Sequence, residues 1–314
     1  MNGAASSPTT AIRRIALTVR DLEGTAAFYR DALGFSRLAT IRHEGTAFAR
    51  LTGLPGARAT AAVMQLGAEE IELVAFEPAG RAYPADSTAA DPLFQHFAIV
   101  VADMAAAYAN LVRHPGHSAI STGGPQHLPP NTGGVTAYKF RDPEGHPLEL
   151  SQLPPGIGAD RWHHPGRHGC LGIDHSAVGV ASTARAVAFY TGVLGMAVTA
   201  RLTNSGAEQD RLDGLHAEGV RITVIEPGRP NGPHLELLDY GAAARPATPS
   251  PLRADDVAAT RLVLEAADLP GLVGRLVAAG GSFVSQRGMR TEAPPDAVVV
   301  RDPDGHLLQL LQQP

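Results

Sequence analysis

Apolar residues recur at two spacings along this chain, and the two spacings alternate in a fixed order. Over IRRIALTV (12–19) and EEIELVAF (69–76) they fall close to every second position, as a strand with one covered face requires. Over LEGTAAFYRDAL (22–33) they move to helical spacing, with Leu22, Ala26, Phe28/Tyr29 and Leu33 on one side and Gly34 as a stop. TAFARL (46–51) and TAAVMQL (60–66) are predicted as two further strands. The order of strand, helix and three strands restarts at FQHFAIVV (94–101), with a helix over DMAAAYANLVRH and strands at HSAIS, VTAYKFRD and HPLELSQ. It begins again at GIDHSAVGV, and once more in 258–267, where RLVLEAA leads into the helical DLPGLVGRLVAAG. Four β-α-β-β-β units follow, an α+β chain whose mixed sheets are built from short strands.

The units come in two tandem halves. IALTVRDLEGTAAFYRDALGF (15–35) returns as SAVGVASTARAVAFYTGVLGM (176–196), so that Phe189-Tyr190 lies 161 residues beyond Phe28-Tyr29. FRDPEGHPLEL (140–150) returns as VRDPDGHLLQL (300–310), each a strand, a DPxG turn and a strand. The halves are 1–153 (units 1 and 2) and 171–314 (units 3 and 4). The stretch 154–170, rich in Pro, Gly and His, reads as a linker.

Composition narrows the chemistry. The 314 residues carry a formal charge of −5 without a basic block, which argues against a nucleic-acid partner. No apolar run approaches the ~20 residues of a membrane span and no export signal opens the chain, so a cytoplasmic location is expected. The single cysteine, Cys170, excludes an internal disulfide framework and a cysteine-rich metal site. His163, His164, His168 and Cys170 fit no standard zinc spacing. His146 and His306, after the DPxG turns, are expected to face water, as is Glu70.

The FY…LGF helices and the RDPEGHPLEL closure resemble the vicinal oxygen chelate superfamily, which includes glyoxalase I, extradiol ring-cleaving dioxygenases and bleomycin resistance proteins. The resemblance implies a cup-shaped sheet with metal ligands on the first and last strands of each unit. Those places carry Arg14 and Glu72 in unit 1, His96 and Glu149 in unit 2, His175 and Glu236 in unit 3, and Arg261 and Gln309 in unit 4. Arginine stays charged and accepts nothing, so units 1 and 4 cannot hold a cation. If unit 2 pairs with unit 3 and unit 1 with unit 4, as the fused glyoxalases imply, one site is complete (His96, Glu149, His175, Glu236) and the other is lost. In the lost site, Arg14 and Glu72 are expected to form a buried ion pair.

Two imidazoles and two carboxylates suit Zn, Ni, Co, Mn or Fe(II). Glu149 and Glu236 are the candidate general bases, and His234, on the same strand face as Glu236, lies beside the site. The resemblance thus implies a lyase or isomerase that moves a proton on a chelated small-molecule substrate, acting as a monomer or homodimer. Two alternatives stand beside it: an Fe(II) extradiol-type dioxygenase, and a non-catalytic protein that sequesters a small molecule. Phe48, Met64, Phe76, Tyr138 and Tyr240 serve equally as core or pocket lining, and no glutathione-binding arginine is identifiable.

Overall fold

A computed structural model describes residues 8–229, 232–245, 251–286 and 296–313; the outer ends of the two expected halves, 1–7 and 314, lie outside them. The described strands form two mixed sheets, and each sheet takes one unit from either half. The first sheet runs from unit 4 to unit 1, in the order Ser282–Phe283, Ala297–Arg301, Leu307–Gln312, Arg261–Ala266, Thr9–Val19, Glu69–Phe76, Ala59–Leu66 and Ser36–His43. The second runs from unit 3 to unit 2, in the order Ala197–Asn204, Val220–Glu226, His234–Asp239, Cys170–Gly179, Phe94–Val101, Pro147–Gln152, Thr136–Arg141 and Ser118–Ala119. In both, the central joint is an antiparallel pair of first strands, Thr9–Val19 with Arg261–Ala266 and Cys170–Gly179 with Phe94–Val101.

Strand alternation sorts the side chains. Ile15, Leu17 and Val19, with Leu235, Leu237, Leu148, Leu150, Phe97 and Ile99, turn to one continuous core. That core also takes the apolar sides of the helices Leu22–Leu33, Met104–Leu111 and Leu269–Ala278. The intervening positions, His96, Glu149, His175 and Glu236 among them, point to the opposite face. These three helices cover one face of the sheets, and the candidate site residues lie on the other, where the short helices Gly45–Thr52 and Ala207–Asp213 border them.

The two repeated motifs lock each half. Tyr29 of the first FY pair donates its hydroxyl to Asp142 of the first DPxG turn (3.1 Å), and Tyr190 does the same to Asp302 (3.0 Å). His146, expected in water, is fully buried: its Nδ1 lies 2.9 Å from Asp142 Oδ2, and its Nε2 lies 3.0 Å from the carbonyls of both Thr18 and Val257. His306 is likewise buried, with Nε2 2.8 Å from the Gly179 carbonyl. Both histidines leave their own turn and fasten it to a strand more than a hundred residues away in sequence.

Two further expectations are corrected. TAFARL forms the helix Gly45–Thr52, closed by Gly53 at φ 70°, and the strand lies earlier, at Ser36–His43. That strand is an exposed edge with almost no buried residue, so its sequence carries little alternation to read. Glu70 is paired with Arg13 and Arg14, both at 3.0 Å, and does not stand free in water. The linker contains the turn Asp160–His163, whose Trp162 is buried against Val100 and Leu171. Among the described residues no helix is long and apolar enough to cross a membrane.

Candidate metal centre

At the joint of the second sheet, His96 pairs with Ala177 and His175 with Ala98. Glu149 stands beside Ala98 and Glu236 beside Ala177. Four chemically active side chains thus ring two alanines, Ala98 and Ala177, both fully buried. The imidazoles meet edge to face with centroids 5.5 Å apart. His96, Glu149 and His175 offer ligand atoms that all lie within 4.8 Å of one another. Glu236 flanks this group, with one carboxylate oxygen 3.7 Å from His175 Nε2 and the other 3.7 Å from His234 Nε2.

The two histidines are held in opposite charge states. Burial, with Lys139 and His175 adding to it, pushes His96 well below the usual imidazole range, so it is neutral. Its buried Nδ1 has no hydrogen-bond partner. For His175, burial opposes the charge but Glu236 and Asp174 outweigh it and hold the ring at about 9. The Nδ1 of His175 lies 3.1 Å from Asp174, whose own carboxyl is held at about 2: burial raises it and the contact with His175 more than offsets that. Asp174 accepts in turn from the indole N–H of Trp162 at 3.1 Å. A carboxylate on the far nitrogen of a histidine fixes the ring and leaves the other nitrogen facing the site. The linker therefore takes part in positioning a site residue.

Sequence reasoning missed Asp174, Trp162 and Lys139. Lys139 is 6% exposed, and its ammonium lies 2.7 Å from Asp213 and 3.8 Å from Glu149. Asp213 also accepts from Tyr240 and Gln209, at 2.9 and 2.8 Å. Lys139 alternates with Tyr138 and Phe140, both in the core, so it must share the face of Glu149. A second signal was available: the chain holds 25 arginines and this one lysine. Ser151, two residues along the same strand and so on the same face, donates to Glu149.

The donor set fits a divalent cation. A neutral imidazole with an unpartnered nitrogen, a second imidazole oriented by a carboxylate, and two glutamates are ligands for a borderline metal. The ammonium of Lys139 opposes a cation, but Asp213 pairs with it at close range. His163, His164, His168 and Cys170 belong to no such grouping among the described residues.

Arg14, Glu72, Arg261 and Gln309 come together at the matching place in the first sheet, around a separate cavity. Arg14 lies 3.7 Å from Glu72 but only 3.0 Å from Glu70, so its principal partner is the glutamate two residues earlier. Of the residues left open between core and pocket, Met64 and Tyr138 belong to the core. Phe48 and Phe76 stack 5.7 Å apart beside the Arg14 cavity.

A model of the Glyoxalase/Bleomycin resistance protein/Dioxygenase superfamily matches residues 11–150 and again 172–310. No curated protein sequence matches. Among solved structures, glyoxalase I from Zea mays aligns with a TM-score of 0.61 at 17% identity, covering 96% of this chain and 92% of the other. A putative dioxygenase from Bacillus subtilis aligns at 0.57 and 14% identity, covering 98% and 87%. At such identities the likeness speaks for the shared fold.

Proposed function

Because the chain belongs to the glyoxalase, bleomycin resistance protein and dioxygenase superfamily, we propose that it is a divalent-metal-dependent lyase or isomerase that transfers a proton on a small substrate bearing vicinal oxygens. The grouping of His96, Glu149 and His175 within 4.8 Å, with Glu236 at its edge, carries this reading. These four residues would hold the metal, which when bound supplies a Lewis acid for the substrate oxygens.

The protein's own groups divide the remaining work. Glu149 is fixed by Ser151 and lies close to Lys139, so it serves as a ligand. Glu236 lies between two imidazoles, outside the tight trio, and of the four is the carboxylate placed to take a proton as well as to bind. Burial raises its pKa, but His175 and His234 outweigh burial and keep it ionised, the form a base requires. His234 stands where it can pass that proton on. Lys139, held charged by Asp213 against the pull of burial, faces the negative charge that develops on a substrate oxygen when the proton leaves. All of these residues belong to one chain, so a monomer suffices.

Elemental analysis of the purified protein should find about one divalent ion per chain. The metal-loaded protein should exchange the carbon-bound hydrogen of 2-hydroxy carbonyl compounds with D2O. Metal below half an equivalent, with no gain on adding Ni, Co, Zn or Mn, would sink the proposal. Oxygen uptake with catechols after anaerobic Fe(II) loading would favour ring cleavage instead.

Lys139 gives a separate test. Lys139→Met should retain the metal yet bind oxalate, a vicinal-oxygen dianion, at least about tenfold more weakly by calorimetry, because its charge is removed while its length is kept. Unchanged oxalate affinity would remove Lys139 from the substrate site.

A further inference from the structure

The first sheet repeats the geometry of the metal site with the sign of the charge reversed. Arg261 stands where the second sheet has His96, Arg14 where it has His175, Gln309 where it has Glu149, and Glu72 where it has Glu236. With both imidazoles deprotonated, as metal ligation requires of His175, the two histidines and two carboxylates sum to a formal −2, the complement of a divalent cation. Two guanidiniums, one carboxylate and one amide sum to +1. These four line a cavity of about 210 Å³ whose other walls include Phe48, Val74, Val263 and Leu311.

Arg14 also pairs with Glu70, outside this set of four, so the guanidinium with no carboxylate in contact is that of Arg261. It is 5% exposed, and its Nη1 reaches only neutral oxygens, the Ala254 carbonyl at 3.1 Å and the Thr18 hydroxyl at 3.4 Å. Among the described residues no carboxylate lies within 4.0 Å of it. Glu72, the one acid among the described residues that line the cavity, is 3.7 Å from Arg14 and 3.8 Å from His43. Arg14 Nε is buried and has no partner. Glu72 acts on Arg261 only from across the cavity; a buried cation with no carboxylate in contact is costly, and a guanidinium fork matches a carboxylate in shape as well as charge. The cavity is smaller than the ~300–1,000 Å³ of clefts for drug-sized ligands, and its walls are largely apolar.

We propose that this cavity is a second binding site, independent of the metal centre, for a small organic monoanion: a carboxylate seated on Arg261, with an apolar or aromatic body against Phe48, Val74 and Val263. Arg14 and Gln309 supply further donors, and Glu72 excludes dianions. The metal-site residues lie in the other sheet and take no part.

Benzoate is a suitable probe and benzamide its uncharged counterpart. Calorimetry and ligand-observed NMR should show one saturable benzoate site, of equal affinity in the wild type and in His96→Ala, with no competition from benzamide. Arg261→Met should weaken benzoate at least about tenfold, and Arg261→Lys should weaken it less. Val299→Phe, which narrows the cavity without touching a charge, should also weaken it and covers the case in which the arginine variant does not fold. No saturable binding up to about 10 mM would overturn the proposal. So would benzoate binding that is lost in His96→Ala and kept in Arg261→Met, because the ligand would then sit at the metal centre. Metal content, measured on the same samples, reports separately on the proposed enzyme.

Discussion

His96→Ala and His175→Ala should each weaken the affinity for the proposed divalent metal more than about 100-fold, whereas Glu72→Gln should leave metal content unchanged. Removing the fixing partner of a ligand costs about 10–100-fold in metal affinity, and removing the ligand itself costs more. Glu72 occupies the place in the first sheet that Glu236 occupies in the second, but it faces two arginines. The contrast among these substitutions therefore tests whether the two sites differ as argued. Equilibrium dialysis against a buffered metal ion, followed by elemental analysis, measures it. Equal losses in Glu72→Gln and Glu149→Gln would mean that both sites take metal, and the division of labour between the sheets would fall. Trp162→Phe refines the same test: it removes only the N–H that steadies Asp174, so metal should bind more weakly without being abolished.

Replacing His146 should produce the largest loss of stability of any single substitution at the DPxG turns. With Nδ1 against Asp142 and Nε2 against two carbonyls, both ring nitrogens must donate, so the ring is the imidazolium. Burial opposes that charge, but Asp142 outweighs it and the pKa is raised. His146→Ala leaves the Asp142 carboxylate buried without its cation, and losing one partner of a buried pair costs about 3–5 kcal/mol. His306→Ala should cost less, because its Nε2 contact is to a single carbonyl. The pH dependence has a definite sign. A group whose pKa is raised on folding contributes fully below its unfolded value, near 6.5, and loses that contribution as pH rises through the folded value. Urea midpoints should therefore fall above about pH 6.5 in the wild type, and more shallowly in His146→Ala, where His175, whose pKa is also raised, still contributes. A pH-independent difference between the two proteins would show that His146 is buried neutral.

Much of this was legible because the duplication prints each rule twice. The offset of 161 residues that aligns Phe28-Tyr29 with Phe189-Tyr190 also aligns Arg14 with His175, and the register of the sheets places all eight first- and last-strand positions in two clusters. What stayed hidden depends on contacts distant in sequence. Nothing near His146 reveals that carbonyls 128 and 111 residues away close over it. Nothing in the linker announces that Trp162 reaches Asp174. The edge strand Ser36–His43 escaped because solvent imposes no alternation, and the apolar positions of Gly45–Thr52 suit either a short strand or a helix. Lys139 was the readable omission, since strand alternation alone places it beside Glu149.

The sharing of each sheet between halves has a consequence for how such a molecule can change. Two copies of a single half, assembled as a symmetric dimer, would build two identical cups, and every substitution would strike both at once. Joined in one polypeptide, the cups draw on different codons. A change that turns a histidine into an arginine in one sheet leaves its counterpart in the other untouched. Symmetry forces a homodimer to keep or lose a chemistry in duplicate, whereas the tether from 154 to 170 lets a single gene hold on to one cup and experiment with its twin.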